Sequence, residues 1–306
     1  MCVGETMAMV APTSLIPLAE GDLFTITAGG AESNVASHLA AMGFESIWLS
    51  RLGDDALGDR ISAILADRGV DISWVARDTT ARTGVYFKNP VPGRHKPVSY
   101  YRANSAASRM SAEDLRDWPL RDATWVHTSG ITAALSEQCS SLVERIIDDA
   151  AELGYGVSFD VNYRPALWET RAAAAQRCLG LGRKCQILLV GLDEAQELWG
   201  ISTAEDVADL FESVPSVVVK DGSIEAVEIV QHPGSAREIH RVPAMKVDVV
   251  EAVGAGDAFA AAYLRGYFLA HTPETRLAAG HHLAAWTLGS LEDHRPMSTH
   301  ELGEKP

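Results

Sequence analysis

Apolar positions along this chain follow two periods in turn, and their alternation predicts strands and helices in regular succession. Short apolar runs at Met1 to Glu5, Ser46 to Ser50, Thr124 to Thr128, Gly156 to Val161, Ile187 to Val190 and Ser216 to Gly222 predict strands. Between them, Val35, Leu39 and Met42 recur at helical spacing until Gly43 stops the run, and further helices are predicted over Ala56 to Arg68, Glu137 to Leu153 and from Thr170 onward. Ile72 to Val75, Ala226 to Val230 and Glu238 to Val242 are predicted as additional strands. Asp257 to Leu269 and Glu274 to Leu288 close the chain as helices before a polar tail. The pattern predicts an α/β fold with a mostly parallel sheet. Ligands collect at the carboxyl ends of such strands, which makes Ser129 to Ile131, Asp160 to Arg164 and Gly191 to Glu194 the expected rim of a site.

Two stretches break this rhythm. Met7 to Leu18 carries Pro12 and Pro17 and is too interrupted for a helix. Thr83 to Lys88 and Val98 to Arg102 are β-rich runs around Pro90 to Gly93, which predicts a hairpin projecting from the body as a lid. Arg94, His95 and Lys96 lie near its turn, as the solvated tip of a hairpin. Strand alternation puts Tyr86 and Lys88 on one face and Tyr100 and Arg102 on another.

Composition narrows the possibilities. A chain of 306 residues with 47% hydrophobic content can bury a full core. A formal net charge of −15 argues against nonspecific binding of nucleic acid or of anionic membranes, while leaving room for a local cationic pocket. The four cysteines form no Cys-x-x-Cys pair, which fits reduced thiols rather than disulfides or zinc. No apolar run approaches the ~18 residues of a membrane span, and Met1 already stands in a strand. A soluble cytoplasmic protein is expected, with a short leader missing ahead of Met1.

Two glycine motifs carry the candidate chemistry. In Val253 to Phe259, the small residues Gly254, Ala255 and Gly256 let the backbone approach a ligand at a helix N-terminus, where free N–H groups and the helix dipole favour a phosphate. Asp257 is then placed as a general base, although a carboxylate in a first turn also complements the dipole. Near the other end, Gly29 and Gly30 precede a helix whose first turn carries Asn34, able to bond hydroxyls, although the glycine pair also suits a plain turn. Arg164 follows a strand and is held extended by Pro165, suited to a carboxylate or to an ordinary surface pair. Lys220 ends its strand as a cation for phosphate, and His281 and His282 lack any metal-ligand spacing.

Together these stretches resemble the ribokinase/PfkB family of carbohydrate kinases. Gly29 to Ala36, Arg51 to Asp55 and Val253 to Phe259 carry the resemblance in the family's order and separation. Tyr100 to Ala106, His127 to Thr132 and Asp160 to Trp168 are similar to their counterparts in the 2-keto-3-deoxygluconate kinases. The resemblance implies one ribokinase-like domain over 1–306, a three-layer sandwich with a β lid formed by about 12–28 and 82–103. It implies ATP and Mg²⁺ as cofactors and transfer of phosphate to the 6-hydroxyl of 2-keto-3-deoxygluconate. Asp257 would then be the base, with the backbone of Gly254, Ala255 and Gly256 stabilising the phosphoryl charge. Gly30, Asn34, Tyr86, Tyr100, Arg102 and Arg164 would hold the acid sugar; Asn162, Lys220, Gly222, Gly254, Gly256 and His281 the nucleotide; Glu194 the metal through water.

Two departures stand out: Glu251-Ala252 replaces the family's usual Asp-Thr, and Gly191 replaces the Asn of Asn-x-x-Glu. The partners implied are a sugar acid and ATP, with a homo-oligomer formed through the lid. Two other functions compete with this one: a fructokinase-like or other PfkB sugar kinase, and a sugar-sensing protein without turnover. A dinucleotide dehydrogenase is disfavoured, because the C-terminal glycine motif lacks a third Gly and lies at the wrong end of the chain.

Overall fold

Residues branched at Cβ favour extended backbone, and this chain concentrates them where its central strands form. The computed structural model describes residues 1–90, 98–232, 234–249, 253–290 and 293–297. The strands are β1 (Cys2–Val3), β2 (Met7–Pro12), β3 (Phe24–Gly29), β4 (Trp48–Leu49), β5 (Arg51–Gly53), β6 (Ala76–Asp78), β7 (Val85–Phe87), β8 (Ser99–Tyr101), β9 (Trp125–Ser129), β10 (Gly156–Asp160), β11 (Ile187–Gly191), β12 (Ser216–Asp221), β13 (Glu225–Val230) and β14 (Glu238–Pro243). The helices are α1 (Ala31–Ala41), α2 (Ala56–Asp67), α3 (Gly130–Ala134), α4 (Glu137–Leu153), α5 (Arg171–Gly182), α6 (Leu192–Trp199), α7 (Ala204–Leu210), α8 (Ala255–Phe268) and α9 (Pro273–Leu288).

The main sheet runs β14-β13-β12-β11-β10-β9-β1-β4. It is parallel from β4 to β12, and β13 and β14 join antiparallel. Strand alternation splits its side chains between two cores. Leu188, Val190, Val217 and Val219 pack with Leu142 and Ile146 of α4 on one face. Ile187, Leu189 and Val218 pack with Val35 of α1 and Tyr263 and Leu264 of α8 on the other. Burial on both faces is why these strands read as unbroken apolar runs. Caps mark several helix starts: Asp55 accepts from Leu57 and Gly58 N–H, and Ser136 from Cys139 N–H.

A second sheet, β3-β2-β7-β8, stands beside the first. It includes Met7–Pro12, from the stretch the prolines marked as too interrupted for a helix; Pro12 is the last residue of β2, and Pro17 lies beyond it. Ile72 to Val75 forms no strand. There, Asp71 bridges Ile47, and pairing resumes only at β6 beside β5. β7 and β8 pair antiparallel with Tyr86 opposite Tyr100, so the expectation that they occupy different faces is corrected. Their rings lie 5.8 Å apart, and register, which the spacing of two runs leaves open, decides it. The expected turn beyond Pro90, with Arg94, His95 and Lys96, lies outside the described residues, as do Glu251 and Ala252.

Candidate active site

The carboxyl ends of the parallel strands and the small sheet enclose a cavity of about 590 Å³. Every expected site residue lines it: Gly30, Asn34, Tyr86, Tyr100, Arg102, Asn162, Arg164, Glu194, Lys220, Gly222, Gly254, Ala255, Gly256, Asp257 and His281. Its floor is the start of α8. Gly254 caps this helix at φ 87, ψ −14, a left-handed conformation in which a side chain is strained, and a Cβ there would also collide with the Asp293 carbonyl. The first α8 amide bonded back to residue 254 is Ala258 N–H at 2.9 Å. The N–H groups of Ala255, Gly256 and Asp257 precede it and are left to a ligand or to water. Around Gly256 the space is open, with the Lys220 Nζ the nearest atom to an added Cβ at 3.8 Å. Backbone N–H groups and a helix dipole in this arrangement can take an anion.

Asp257 is half-buried and lines the cavity. Its Oδ2 accepts a 2.9 Å hydrogen bond from Asn34 Nδ2. Burial pushes its carboxyl up to about 7; the Asn34 amide pulls it down and Asp160 pushes it further up. A carboxyl poised there can take a proton near neutral pH. Asn34 is 2% exposed, and its Oδ1 has no hydrogen-bond partner, which leaves an acceptor for a ligand hydroxyl.

At one end of the cavity, Lys220 Nζ donates to Asp160 Oδ2 at 2.7 Å. Burial works to lower the ammonium, but the Asp160 and Glu194 carboxylates outweigh it and hold it raised. Asp160 Oδ1 also accepts Asn162 N–H at 3.2 Å across a turn in which Asn162 takes φ 40. Glu194 uses both carboxylate oxygens: Oε2 accepts Gly191 N–H at 2.9 Å and Oε1 accepts Tyr163 N–H at 2.9 Å. Burial and then Asp160 raise its carboxyl. His281 Nε2 lies 3.0 Å from the Val242 carbonyl, its ring meets the edge of Phe259, and burial lowers its pKa. Gly222, at φ 48, turns the chain beside Lys220.

At the other end, the small sheet contributes Tyr86, Tyr100 and Arg102. Arg102 forms an ion pair with Glu5, a buried residue just after β1, and lies 5.7 Å from the centre of the Tyr100 ring. Arg164 is half exposed; it donates to the Tyr163 carbonyl and stands 3.7 Å from Glu194. Sequence reasoning did not assign Asp160, Glu5 and Asp293, which also line the cavity, nor Lys88, which pairs with Asp293. Asp160 had been placed on the rim without a role, and Glu5 ended the first predicted strand. Lys88 shares its strand face with Tyr86 and forms a buried ion pair with Asp293, which also accepts the Tyr86 hydroxyl. Burial, and then Asp293, hold that phenol well above its usual value. Lys88 could have been found from its alternation with Tyr86; nothing in the polar tail marked Asp293.

Comparison with known proteins identifies the family. The pfkB family carbohydrate kinase model matches residues 1–300. A 2-dehydro-3-deoxygluconokinase of Bacillus subtilis is 34% identical, with 86% of this chain and 81% of the relative covered. A 2-dehydro-3-deoxygalactonokinase of Haloferax volcanii is 32% identical over 92% of this chain and 88% of the relative. A fructokinase-1 of Zea mays is also 32% identical, over 86% and 80%. The crystal structure of a 2-dehydro-3-deoxygluconokinase from Thermotoga maritima superposes with a TM-score of 0.85 at 27% identity, over 99% of this chain and 96% of that one. The fold is therefore the ribokinase-like α/β sandwich, and the chain belongs to the pfkB family of carbohydrate kinases, sugar-directed phosphotransferases.

Proposed function

We propose that this kinase transfers the γ-phosphoryl group of ATP to the 6-hydroxyl of 2-keto-3-deoxygluconate. The observation that carries the reading is Asp257, a carboxyl raised to about 7 and set in the same helical turn as the free N–H groups of an anion site. Asn34 occupies its Oδ2, which leaves Oδ1 for the hydroxyl proton. The hydroxyl oxygen attacks the γ-phosphorus, the bond to the β-phosphate oxygen breaks, and the proton passes to Asp257 as ADP departs. The N–H groups of Ala255, Gly256 and Asp257 offset the charge on the phosphoryl oxygens.

The residues present fit ATP and Mg²⁺. Lys220, Asn162, Gly222 and His281 lie along the cavity where the nucleotide would run. Mg²⁺ needs only one or two carboxylates beside phosphate and water. Asp160 and Glu194 would be the carboxylates beside it, Glu194 indirectly, and the described residues hold no cluster of three or more metal-ligating groups. When bound, the metal would offset charge on the transferred phosphate. Glu194 would act on it through water, since both its oxygens already accept backbone N–H groups.

The acid sugar is supported by Arg102 and Arg164 at the cavity and by the two sugar-acid kinases among the relatives. A fructokinase reading draws on the Zea mays relative, and on the fact that each arginine already faces a carboxylate. In the proposed scheme the small sheet is the lid. A homo-oligomer formed through it is supported by the exposed rings of Phe24 and Tyr101 on β3 and β8. A cytoplasmic location accords with four unpaired, buried cysteines.

The test is turnover with ATP on 2-keto-3-deoxygluconate beside fructose and ribose. The sugar acid is expected to be preferred, and Arg164→Ala should raise its KM by about tenfold or more while leaving that of fructose within twofold. Preference for a neutral sugar refutes the substrate assignment.

A further inference from the structure

We propose that Glu5 is a specificity-determining positioning residue: its buried carboxylate is the counter-charge that fixes the Arg102 guanidinium at the sugar end of the cavity and limits how strongly it takes a substrate carboxylate. The proposal rests on the acid-sugar reading above. It begins with an anomaly of charge, since a buried acid lines the end of the cavity where an anion is to bind. Glu5 is 1% exposed and lies just after β1, at the carboxyl edge of the main sheet. One side of its carboxylate accepts the Ser105 hydroxyl, and the other faces Arg102. Ser105 and Arg102 both follow β8, so this single side chain joins the body to the returning end of the small sheet.

The surroundings are fitted to the pair. Gly84 passes beside it, and a Cβ there would stand 3.1 Å from Glu5 Oε1, 3.5 Å from the Arg102 Cβ and 2.8 Å from Met7. A larger residue would displace the carboxylate. A buried acid without a partner is strongly disfavoured, so Arg102 is held to Glu5 in the absence of ligand. An incoming carboxylate must share that guanidinium with Glu5 and feels the repulsion of the fixed acid behind it. A neutral sugar feels neither. Glu5 therefore acts on the choice between acid and neutral substrates through Arg102.

Two substitutions move the balance in opposite directions. Glu5→Gln keeps shape and hydrogen bonding, with its amide turned so that the oxygen faces Arg102 and the nitrogen faces Ser105, but removes the competing charge. The KM for 2-keto-3-deoxygluconate should fall by about five- to tenfold, that for fructose should stay within twofold, and kcat should move far less than KM. Glu5→Asp, which retains the charge, should return the ratio of the two KM values toward that of the wild type. Ser105→Ala removes the other donor to Glu5, so the acid leans harder on Arg102 and the KM for the sugar acid should rise about threefold. Ser105→Ala decides the matter if Glu5→Gln does not fold. A ratio of KM values that stays within twofold in Glu5→Gln, or in Ser105→Ala where that variant decides, overturns the role of Glu5. So do acid and neutral KM values that move together. Wild-type enzyme that turns over fructose but not the sugar acid refutes the substrate reading, and this proposal with it.

Discussion

At the scale of single residues, the proposed reaction makes Asp257 its base, and Asn34 the group that would set its acid limit. A general base must be deprotonated, and burial holds the Asp257 carboxyl near 7, so activity is expected to fall as pH drops through about 7. The Asn34 amide is the partner that pulls this value down, by donating to the charged form. Asn34→Ala should therefore move the acid limb of the kcat/KM profile upward by about one pH unit, besides weakening sugar binding. The measurement is the pH dependence of kcat/KM, which reports the free enzyme. A limb that stays in place would show that Asn34 binds sugar without tuning the base. Glycine spacing made Asp257 and Asn34 legible in the sequence, but not their bond, because 223 positions separate them and only the packing of α1 against α8 brings them together.

At the scale of elements, the start of α8 depends on Gly254 in two ways. Its left-handed φ of 87 strains any residue with a Cβ, and the space such an atom would need is held by the Asp293 carbonyl. Gly254→Ala should destabilise the fold by about 1–3 kcal/mol and, by tilting the first turn, lower kcat by about a hundredfold. Thermal unfolding beside steady-state kinetics checks both, and a variant with wild-type kcat would dissociate the turn from phosphoryl transfer. The strands and helices of the main sheet were readable because their apolar residues are buried on two faces or one, which leaves a period in the sequence. β2 was not, since its pairing to β3 and β7 is long-range and Pro12 obscured it. Glu194 was read as a metal residue from its motif. Its bond to Gly191 N–H shows it is also the third residue of α6 closing its own helix start, a role the acidic first turn could have signalled.

At the scale of the whole molecule, the cations of the cavity are balanced before any ligand arrives. Lys220 faces Asp160, Arg102 faces Glu5 and Arg164 faces Glu194, so in a chain of net charge −15 each of these cations already has an acid beside it and the cavity is no bare cationic field. The pair of Lys88 and Asp293 differs, because both are almost wholly buried, at 2% and 3% exposure. It ties the small sheet to the C-terminal segment, whose His294 packs on His38 of α1 and whose Met297 is buried in the core. Removing one charge strands the other in a low-dielectric setting, so Lys88→Met should lower stability by about 3 kcal/mol. Asp293→Asn in the same chain removes the stranded charge and should recover part of that loss. Urea unfolding of the two single variants and the double one gives their coupling. If the two losses simply add, the ion pair is not what holds the small sheet to the body, and packing of the tyrosines and of Met297 must hold it instead.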